Sequence, residues 1–588
     1  MSMFVLHCKK LGFYMMRRRW IVATCSVIWP ALIVVSLIYC KTTLDENGGL
    51  GIVGKISQKG SVYHSSSTRT KLKGKLLDGL LSADFNEKTC SSRYQSTLYR
   101  KTSPHKPSPH LISTLRSYES IHRRCSPHTE SYNKTLQHFQ PGDHSTARID
   151  CKYLVHLWMP QGGLGNRLLS LASSFLYALL TNRVLLIDQG HKAVDLLCEP
   201  FPDTTWALPL DFPIKNQFDT FNKESPHCYG NMVKNHIIDT SMEKSFFPFM
   251  YFNLIYDYDD YDKQFFCDQD QNFMRGVSWL VIRSDQYFIP SLFLIPSFKQ
   301  ELRKLFPEKE TVFHHLGRYL FHPSNQVWGL ITRYYQAYLA KADERIGIQV
   351  RDFKSTNLPF RGLKDHIASY YLPHLAVNES VFNRRNDSYD VTSPLSYMMD
   401  RILDCSVKKN LLPKLKPIKN PQESVSVVDY QSNKNPKSKV VLVTSLDSRY
   451  FENLRNMYWE NPTINGEVIG VFQPSHEGYQ QLGNLTHHMK AWAEIYLLSL
   501  MDVLITSPWS TFGYVAQGIG GLRPWILNNP QKEMDYDLPC HRAKSMEPCF
   551  HFPPFYDCKA KIRTDTGARV PYVRHCEDTS WGLKLVDD

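Results

Sequence analysis

An arginine that directly follows an apolar run can bind a phosphorylated ligand. Residues 346–350 (IGIQV) predict a buried strand, and Arg351 comes next. Side chains beyond the carboxyl end of a parallel strand face the ligand cleft of an α/β sheet. A guanidinium there can bind two diphosphate oxygens and stabilise a departing nucleoside diphosphate, because it keeps its proton. The alternative is an ion pair of Arg351 with Asp352 or with another surface carboxylate.

A glycine-rich turn, GLGNR at 163–167, separates a strand pattern (153–159) from a buried helical pattern (168–181). Glycine lets the backbone approach a phosphate, and a helix N-terminus supplies N–H groups. We expect Asn166 and Arg167 to lie at a phosphate site. The alternative is a tight turn whose arginine makes a structural ion pair.

A second phosphate-binding turn is indicated by the segment STFGY, which follows a short apolar run. Its first residue is a favourable helix N-cap, and the amides that follow can hold a phosphate. An ordinary capped helix is the alternative. The residues of this segment are Ser510, Thr511, Phe512, Gly513 and Tyr514.

Carboxylates offer two further kinds of chemistry. Asp285 follows the strand predicted at 279–282 by three residues and can reach the same cleft; an aspartate that caps a turn is the alternative. Asp257 and Asp259 form an Asp-x-Asp pair, with Asp260 and Asp262 close by. Such a pair can hold a divalent ion that bridges phosphates. Solvated loops carry similar clusters, and we favour that interpretation over a metal site.

Two pairs of neighbouring histidines, His314–His315 and His487–His488, also invite a metal assignment. Adjacent side chains on a helix or strand point in different directions, so neither pair is well placed to bind one ion. We interpret them as packing or substrate-contact residues.

The strand and helix patterns around these residues form two α/β series. Such series, the first opened by a glycine-rich turn, are typical of parallel sheets. We predict two Rossmann-like domains facing a cleft, at 86–345 and 346–588, with 352–435 as an insertion of unassigned function. The second series has predicted strands at 440–443, 468–472, 503–505 and 525–527, and helices at 451–459, 490–500 and 511–518.

The net charge of +13 is confined to the front of the chain. Residues 1–150 contain 22 Lys and Arg against 9 Asp and Glu, which leaves 47 of each sign in the remainder. A nucleic-acid-binding protein would carry its basic surface on the folded recognition element. Nucleic acid is therefore excluded as the partner.

A membrane anchor is predicted near the N-terminus. Residues 20–40 carry no charge, and a helix of that length spans about 30 Å, the core of a bilayer. Basic residues precede it, so we expect 1–19 to be cytoplasmic and the rest lumenal, with 41–85 as a flexible stem. A cleaved signal peptide is the alternative, but this apolar run ends in Leu-Ile-Tyr-Cys rather than in small residues.

Two features agree with a lumenal location. Asn-x-Ser/Thr triplets predict glycosylation at Asn133, Asn378, Asn386 and Asn484. Of 14 cysteines, 11 lie beyond residue 89, which predicts disulfides with one cysteine left over. The CxxC pairs of a zinc site do not occur. The pairing is left open.

From about residue 86 to the end, the sequence resembles the plant galactoside α-1,2-fucosyltransferases, the family of xyloglucan fucosyltransferase. The resemblance implies a GT-B-type fold, GDP-β-L-fucose as donor, inversion at the anomeric carbon, Golgi residence and no metal requirement. It is carried by GLGNRLLSLASSFLYALLTNRVLLID, CEPFPDTTWALPLDFP, FHHLGRYLFHPSNQVWGLITRYY, IGIQVR, GYQQ, STFGYVAQGIGGLRPWIL, MEPCFHFPPFYDCKAK and VRHCEDTSWGLKLV.

The resemblance also assigns roles to individual residues. The family's donor-binding arginine falls on Arg351, and the acidic residue of its C-terminal CED falls on Asp578. Asp285 is expected to assist removal of the acceptor proton. Related enzymes of other kingdoms have a second arginine where this chain has Asp352, so we expect Arg167 to supply the second cation.

The expected activity is transfer of L-fucose to the 2-hydroxyl of a terminal galactose on a plant cell-wall glycan, with xyloglucan as the preferred acceptor. Arabinogalactan proteins are an alternative acceptor. A catalytically silent Golgi partner that binds glycan or nucleotide is the alternative from another class. The anchor and stem permit a homodimer.

Overall fold

Two β-sheets with helices on their faces carry the described part of the chain in the computed structural model. The predicted tail (1–19), membrane span (20–40) and most of the stem (41–85) lie outside the described residues. Within the described ranges, no helix is both long enough and apolar enough to cross a membrane. The structure describes residues 76–137, 139, 151–159, 162–188, 193–238, 247–351, 394–416, 437–528 and 538–587.

The first sheet is built from four strands: β1 (Tyr153–Leu157), β2 (Val184–Ile187), β3 (Phe249–Leu254) and β4 (Trp279–Ser284). Their order is β2-β1-β4-β3, and every pair is parallel. Nearly all residues of these strands are buried, because helices and loops cover both faces of a parallel sheet.

The second sheet is built from six strands: β5 (Glu344–Gln349), β6 (Ser438–Thr444), β7 (Val468–Phe472), β8 (Val503–Thr506), β9 (Trp525–Leu527) and β10 (Cys540–Arg542). Their order is β10-β9-β8-β5-β6-β7, parallel except for the edge strand β10. Gln349 of β5 pairs with Thr506 of β8, so these two strands end side by side.

Two short antiparallel pairs follow the second sheet, β11 (Tyr556–Asp557) with β12 (Ile562–Arg563) and β13 (Val573–His575) with β14 (Leu583–Leu585). The α-helices are α1 (Ser91–Gln95), α2 (Pro109–Arg124), α3 (Glu130–Gln137), α4 (Leu164–Thr181), α5 (Ala193–Leu196), α6 (Tyr229–Lys234), α7 (Asp268–Gly276), α8 (Ile289–Leu292), α9 (Lys299–Leu305), α10 (Val312–Leu320), α11 (Asn325–Tyr334), α12 (Pro394–Lys408), α13 (Arg449–Glu460), α14 (Leu485–Leu498) and α15 (Thr511–Gly520).

One continuous apolar core joins the two sheets. It runs from β1 and β4 through α4, α10 and α15 to residues such as Leu442 of β6 and Leu504 of β8. Helix α4 is buried on almost every side, as its apolar sequence predicted. Because close-packed interiors transmit strain, this shared core fixes each sheet relative to the other.

Helix α4 begins earlier than its apolar pattern suggested. We expected the helix from residue 168, whereas it starts at Leu164 with Gly163 in an extended backbone at the N-cap. Asn166 and Arg167 therefore belong to the first helical turn and not to a loop. The glycines at 162, 163 and 165 predict a loop, but glycine is also a favourable N-cap residue, and Gly163 takes that position.

Two predicted boundaries need correction. Helix α12 lies within 352–435, where we predicted an insertion, yet Met399, Ile402 and Cys405 are buried against the second sheet. Their spacing of three residues places them on one helix face, a short pattern that we overlooked. At the other boundary, Leu76 and Leu80, within the predicted stem, are buried in the main core. The folded part thus includes residues assigned to the stem.

Among the eleven cysteines of the described residues, ten form five disulfides, which confirms the prediction from the cysteine count, and Cys228 is buried without a disulfide. Covalent bonds of this number are typical of proteins that fold in an oxidising compartment. The pairs are Cys90–Cys198, Cys125–Cys151, Cys267–Cys558, Cys405–Cys540 and Cys549–Cys576.

Candidate active site

Arg351 lies where the two central strands of the second sheet end. Its backbone N–H donates to Ser507 Oγ (2.8 Å), and the Ser507 N–H donates to Gln349 O (3.0 Å). These bonds tie the carboxyl end of β5 to that of β8 and so fix the base of the arginine. Desolvation lowers the pKa of Arg351, yet a guanidinium stays protonated in proteins. The result is a permanent, partly desolvated cation at the sheet edge.

A loop after β7 reaches across to this arginine. Gln480 Oε1 accepts a hydrogen bond from Arg351 Nη2 (3.1 Å), and a Cβ built on Gly163 would lie 3.4 Å from Gln480 Nε2. Gln480 thus lies between the arginine and the start of α4. The loop is anchored by Glu477, whose carboxylate accepts from Lys490 Nζ (2.5 Å).

The N-termini of α4 and α15 meet beside this loop. Thr511 Oγ1 donates to Asn166 Oδ1 (2.6 Å). A Cβ on Gly165 would lie 2.6 Å from the Thr511 carbonyl carbon, so only glycine allows this approach. Both helix N-termini carry the positive end of a helix dipole, which favours an anion. The structure therefore brings the GLGNR and STFGY segments together.

The other residues of the STFGY segment pack beneath this junction. Ser510 occupies the N-cap position of α15, but its side chain makes no capping hydrogen bond. A Cβ on Gly513 would lie 3.1 Å from Gln349 Oε1, so glycine allows α15 to approach β5. Phe512 is half-buried against the main core.

Asp578 holds the residue that precedes α15. Trp509 has a left-handed backbone (φ 60°), which is costly for a bulky side chain. Asp578 Oδ2 accepts from the Trp509 N–H (3.0 Å) and from the Tyr514 hydroxyl (2.5 Å), and Asp578 O accepts from Trp509 Nε1 (2.9 Å). Burial and the Asp578 charge hold the pKa of Tyr514 well above its usual value. Asp578 therefore positions the turn at the start of α15.

Arg167 is placed differently from our expectation of a second cation in the cleft. Its side chain is 2% exposed. Its Nε donates to Gly162 O (2.8 Å), and its guanidinium lies 5.7 Å from the centroid of the Trp158 ring. Desolvation lowers its pKa to about 10, so it stays charged at neutral pH. These contacts hold the glycine turn in place from beneath.

Asp285 lies at the carboxyl edge of the first sheet, directly after β4. Ser284 Oγ donates to Leu254 O (2.9 Å) and joins the ends of β4 and β3. Gln286 Nε2 donates to Asp285 Oδ1 (2.7 Å). Burial raises the pKa of Asp285 to about 6, a rise that the charge of Asp257 increases and the Gln286 bond opposes. A carboxylate with this proton affinity can accept a proton near neutral pH.

In the acidic cluster around the Asp-x-Asp pair, Asp259 and Asp260 make local bonds. Asp259 Oδ1 accepts from the backbone amides two and three residues further on (2.9 and 3.1 Å). Asp260 forms ion pairs with Lys263 (2.7 Å) and Arg563 (3.2 Å). Asp262 is buried. These contacts agree with a structured turn better than with an open metal site.

Within the described part of the chain, the side chains that lie close enough to share a metal ion are Cys549, Cys576 and Asp578. The two cysteines form a disulfide and supply no thiolate. The Asp578 carboxylate already accepts two hydrogen bonds. This set of donors does not fit a metal.

The four paired histidines are buried, and His314, His487 and His488 also form hydrogen bonds within the fold. His314 Nδ1 lies 2.8 Å from Gly518 O, so this histidine links α10 to α15. His487 Nδ1 lies 3.0 Å from Glu477 Oε2, and His488 Nε2 lies 2.6 Å from Leu482 O. Both pairs therefore pack and position neighbouring segments.

The predicted glycosylation sites are partly described. Asn133 is exposed on α3. Asn484 is exposed at the N-cap of α14, where its Oδ1 accepts from the His487 N–H (3.2 Å). Asn378 and Asn386 lie outside the described residues. Glycosylation at all four remains a prediction.

Sequence reasoning missed four residues of the site. Gln480 lies in the GYQQ segment, to which no role was given, and Ser507 directly follows the β8 pattern. Trp509 adjoins the STFGY segment, and His551 lies 3.1 Å from the Tyr514 hydroxyl. The first three stand beside motifs already found, whereas nothing in the sequence places His551 next to Tyr514.

Two Rossmann-like sheets whose carboxyl edges share a cleft, with a fixed arginine and two helix N-termini on it, define a glycosyltransferase of the GT-B type. The chain belongs to the xyloglucan fucosyltransferase family, which it matches over residues 53–388 and 364–559. Both the predicted family and the predicted α/β fold are confirmed.

Individual relatives are similar in sequence to this chain over most of its length. The galactoside 2-alpha-L-fucosyltransferase of Arabidopsis thaliana is 51% identical over 563 residues, which cover 96% of this chain and 92% of that protein. The enzyme of the same name from Pisum sativum is 53% identical over 517 residues, covering 88% and 83%. A mutant of Arabidopsis thaliana FUT1 in complex with GDP superposes with a TM-score of 0.73 at 54% identity, covering 87% of this chain and 100% of that one.

The support that Asp578 gives to the turn can be measured by a double-mutant cycle. Because Asp578→Ala leaves two buried donors without their acceptor, we expect it to lower the free energy of unfolding by about 2 to 3 kcal/mol. Tyr514→Phe should lower the free energy of unfolding by about 1 kcal/mol. The loss in the double variant should be about 1 kcal/mol smaller than the sum of the two single losses. Equilibrium urea unfolding of the full chain measures each value.

Tyr458→Phe serves as the control, because the Tyr458 hydroxyl donates to Pro413 O instead. When Tyr458→Phe is combined with Asp578→Ala, the two changes in the free energy of unfolding should add within about 0.5 kcal/mol. Additivity of Asp578→Ala with Tyr514→Phe would show that the two side chains do not act as a unit.

Proposed function

We propose that the protein transfers L-fucose from GDP-β-L-fucose to the 2-hydroxyl of a terminal galactose on xyloglucan, with inversion at the anomeric carbon. Family membership and the names of the relatives at 51–53% identity support this activity. The observation that carries it is the geometry of Arg351, fixed by Ser507 beside two helix N-termini.

The second sheet binds the donor in this proposal. Arg351 forms hydrogen bonds to the diphosphate, and the amides that begin α15 add partial positive charge. As the bond from the fucose anomeric carbon to the phosphate oxygen breaks, GDP leaves with the electron pair. The fixed guanidinium stabilises this charge without reorganising, which is the most effective form of electrostatic catalysis.

The first sheet activates the acceptor. The galactose 2-hydroxyl oxygen attacks the anomeric carbon from the face opposite GDP, and its proton passes to Asp285 directly or through one water. Inversion requires nucleophile and leaving group on opposite sides of the sugar. Asp285 and Arg351 lie on different sheets, and this agrees with a base and a leaving-group cation on opposite sides of the sugar.

No metal is required in this proposal. Among the described residues, Asp259 accepts hydrogen bonds within its turn, Asp260 forms ion pairs, and the cysteines near Asp578 form a disulfide. Arg351 provides the positive charge that a divalent ion would otherwise supply.

We also propose that the protein is a single-pass type II protein of the Golgi membrane, with its catalytic part in the lumen. The uncharged segment 20–40 and the basic residues before it support an anchor in this orientation. Five disulfides support an oxidising lumen. The glycans at the four asparagines and a homodimer belong to the same proposal.

A transfer assay with matched acceptors tests the proposed activity. We expect fucose incorporation from GDP-fucose into galactosylated xyloglucan, none after β-galactosidase treatment of that acceptor, and equal activity in EDTA. Arg351→Ala should abolish transfer, because it removes the diphosphate contact. The control Arg455→Ala, on the exposed face of α13, should transfer as the unchanged protein does.

Other outcomes contradict parts of the proposal. Transfer to arabinogalactan protein and not to xyloglucan would overturn the acceptor and keep the chemistry. Strict manganese dependence would contradict metal-free catalysis. Absence of transfer to any galactoside would contradict the enzyme assignment and favour a silent partner.

The pH dependence of transfer tests the role of Asp285. A base must be unprotonated, so activity should rise with pH through about 6, the pKa of Asp285. Asp257→Asn removes a negative charge that raises this pKa, so the midpoint should move to lower pH. Asp259→Asn, in the same segment, is the control and should leave the midpoint in place. A midpoint that Asp257→Asn leaves unchanged or raises would contradict the assignment.

A further inference from the structure

We infer that Tyr256 is the surface on which the terminal galactose of the acceptor rests. This inference rests on the proposed function. Tyr256 lies two residues beyond β3, and Leu254 at the end of β3 pairs with Ser284 at the end of β4. Its side chain is 42% exposed, unlike most aromatic residues of this sheet. An exposed ring at the carboxyl edge of a parallel sheet is placed where ligands bind.

Tyr256 is in direct contact with the candidate base. Its backbone hydrogen-bonds the Asp285 carboxyl group, and the charges of Asp257 and Asp285 add to the effect of burial in raising the pKa of the Tyr256 phenol. Because Leu254 pairs with Ser284, Tyr256 and Asp285 follow neighbouring strand ends. The exposed Tyr256 ring is therefore close to the edge at which a sugar hydroxyl would reach Asp285.

The Tyr256 segment also contacts the C-terminal part of the chain. The Tyr256 and Phe552 ring centroids are 6.2 Å apart. Tyr258 fixes this segment, because its hydroxyl donates to Phe552 O (2.6 Å). His551 Nε2, one residue before Phe552, lies 3.1 Å from the Tyr514 hydroxyl. Tyr256 thus lies between the proton acceptor and the helix that begins the donor site.

The chemistry of the ring selects the kind of ligand. In galactose the axial 4-hydroxyl lies on one face of the pyranose, so the opposite face presents adjacent C–H groups. Such a face packs favourably on the electron-rich face of an aromatic ring. The ring is held by its backbone bond and by Phe552, so little conformational entropy is lost on binding. Tyr256 would therefore contribute to recognition of the galactose and not of the nucleotide.

Steady-state kinetics of ring variants tests this inference. Tyr256→Ala should raise the KM for galactosylated xyloglucan about 3- to 10-fold, the effect of losing one aromatic contact. The KM for GDP-fucose and the Kd for GDP should stay within about twofold of the unchanged protein, a difference near experimental error. Tyr256→Phe keeps the ring and should keep the acceptor KM. Tyr256→Leu keeps apolar bulk without a ring and should behave like Tyr256→Ala.

Tyr261→Ala is the matched control, since Tyr261 is 38% exposed in the same segment and has no part in the site. It should leave both KM values unchanged. An unchanged acceptor KM in Tyr256→Ala, or in Tyr256→Leu if the alanine variant does not fold, overturns the inference. Equal rises in both KM values also overturn it, because they indicate general distortion. Absence of transfer by the unchanged protein would overturn the proposed function instead.

Discussion

The close meeting of two helix N-termini is the constraint on which the cleft depends. Helices α4 and α15 approach so closely that Gly165 has no room for a Cβ against Thr511, and Asn166 accepts a hydrogen bond from the Thr511 hydroxyl. One helix follows the first strand of the first sheet and the other follows a central strand of the second. Their contact therefore sets how the two carboxyl edges face each other, and a close-packed core of this kind does not deform gradually.

A cation on the carboxyl edge of the second sheet and a carboxylate on that of the first could together serve a donor and an acceptor. Arg351 is held by backbone bonds at the end of β5, where partial desolvation strengthens its interaction with an anion. Asp285 occupies the end of β4 with a pKa raised to about 6 by burial. In the proposed reaction, the leaving diphosphate would meet the positive Arg351 and the attacking hydroxyl the negative Asp285, on separate sheets. Asp578 supports the arrangement indirectly, because it holds Trp509 in a backbone conformation that would otherwise be costly.

Local patterns in the sequence predicted most of the strands and helices, because strands and buried helices have distinct apolar periods. They also predicted that Arg351 follows the strand now seen as β5. The segment predicted as a strand at 440–443 is β6 (Ser438–Thr444), and the helix predicted at 511–518 is α15. Contacts between distant segments could not be predicted in this way. Asp578 lies far along the chain from Trp509, and its role as a support required the fold. Arg167 was expected in the cleft, but its Nε bonds to Gly162 O beneath the turn. The number of cysteines beyond residue 89 predicted disulfides and left their pairing open.

The affinity of the purified full chain for GDP is the most direct test of the central claim, that a fixed guanidinium and no metal ion holds the pyrophosphate. Isothermal titration in EDTA should show that Arg351→Ala raises the Kd for GDP about 10- to 100-fold, the effect of losing a hydrogen-bonded charge. The Kd of Arg351→Lys should lie between those of the unchanged protein and Arg351→Ala, because lysine keeps the charge and lacks the planar guanidinium. Arg455→Ala, with an exposed arginine of the same half, should bind as the unchanged protein does. A Kd for GDP that Arg351→Ala leaves unchanged would contradict this account.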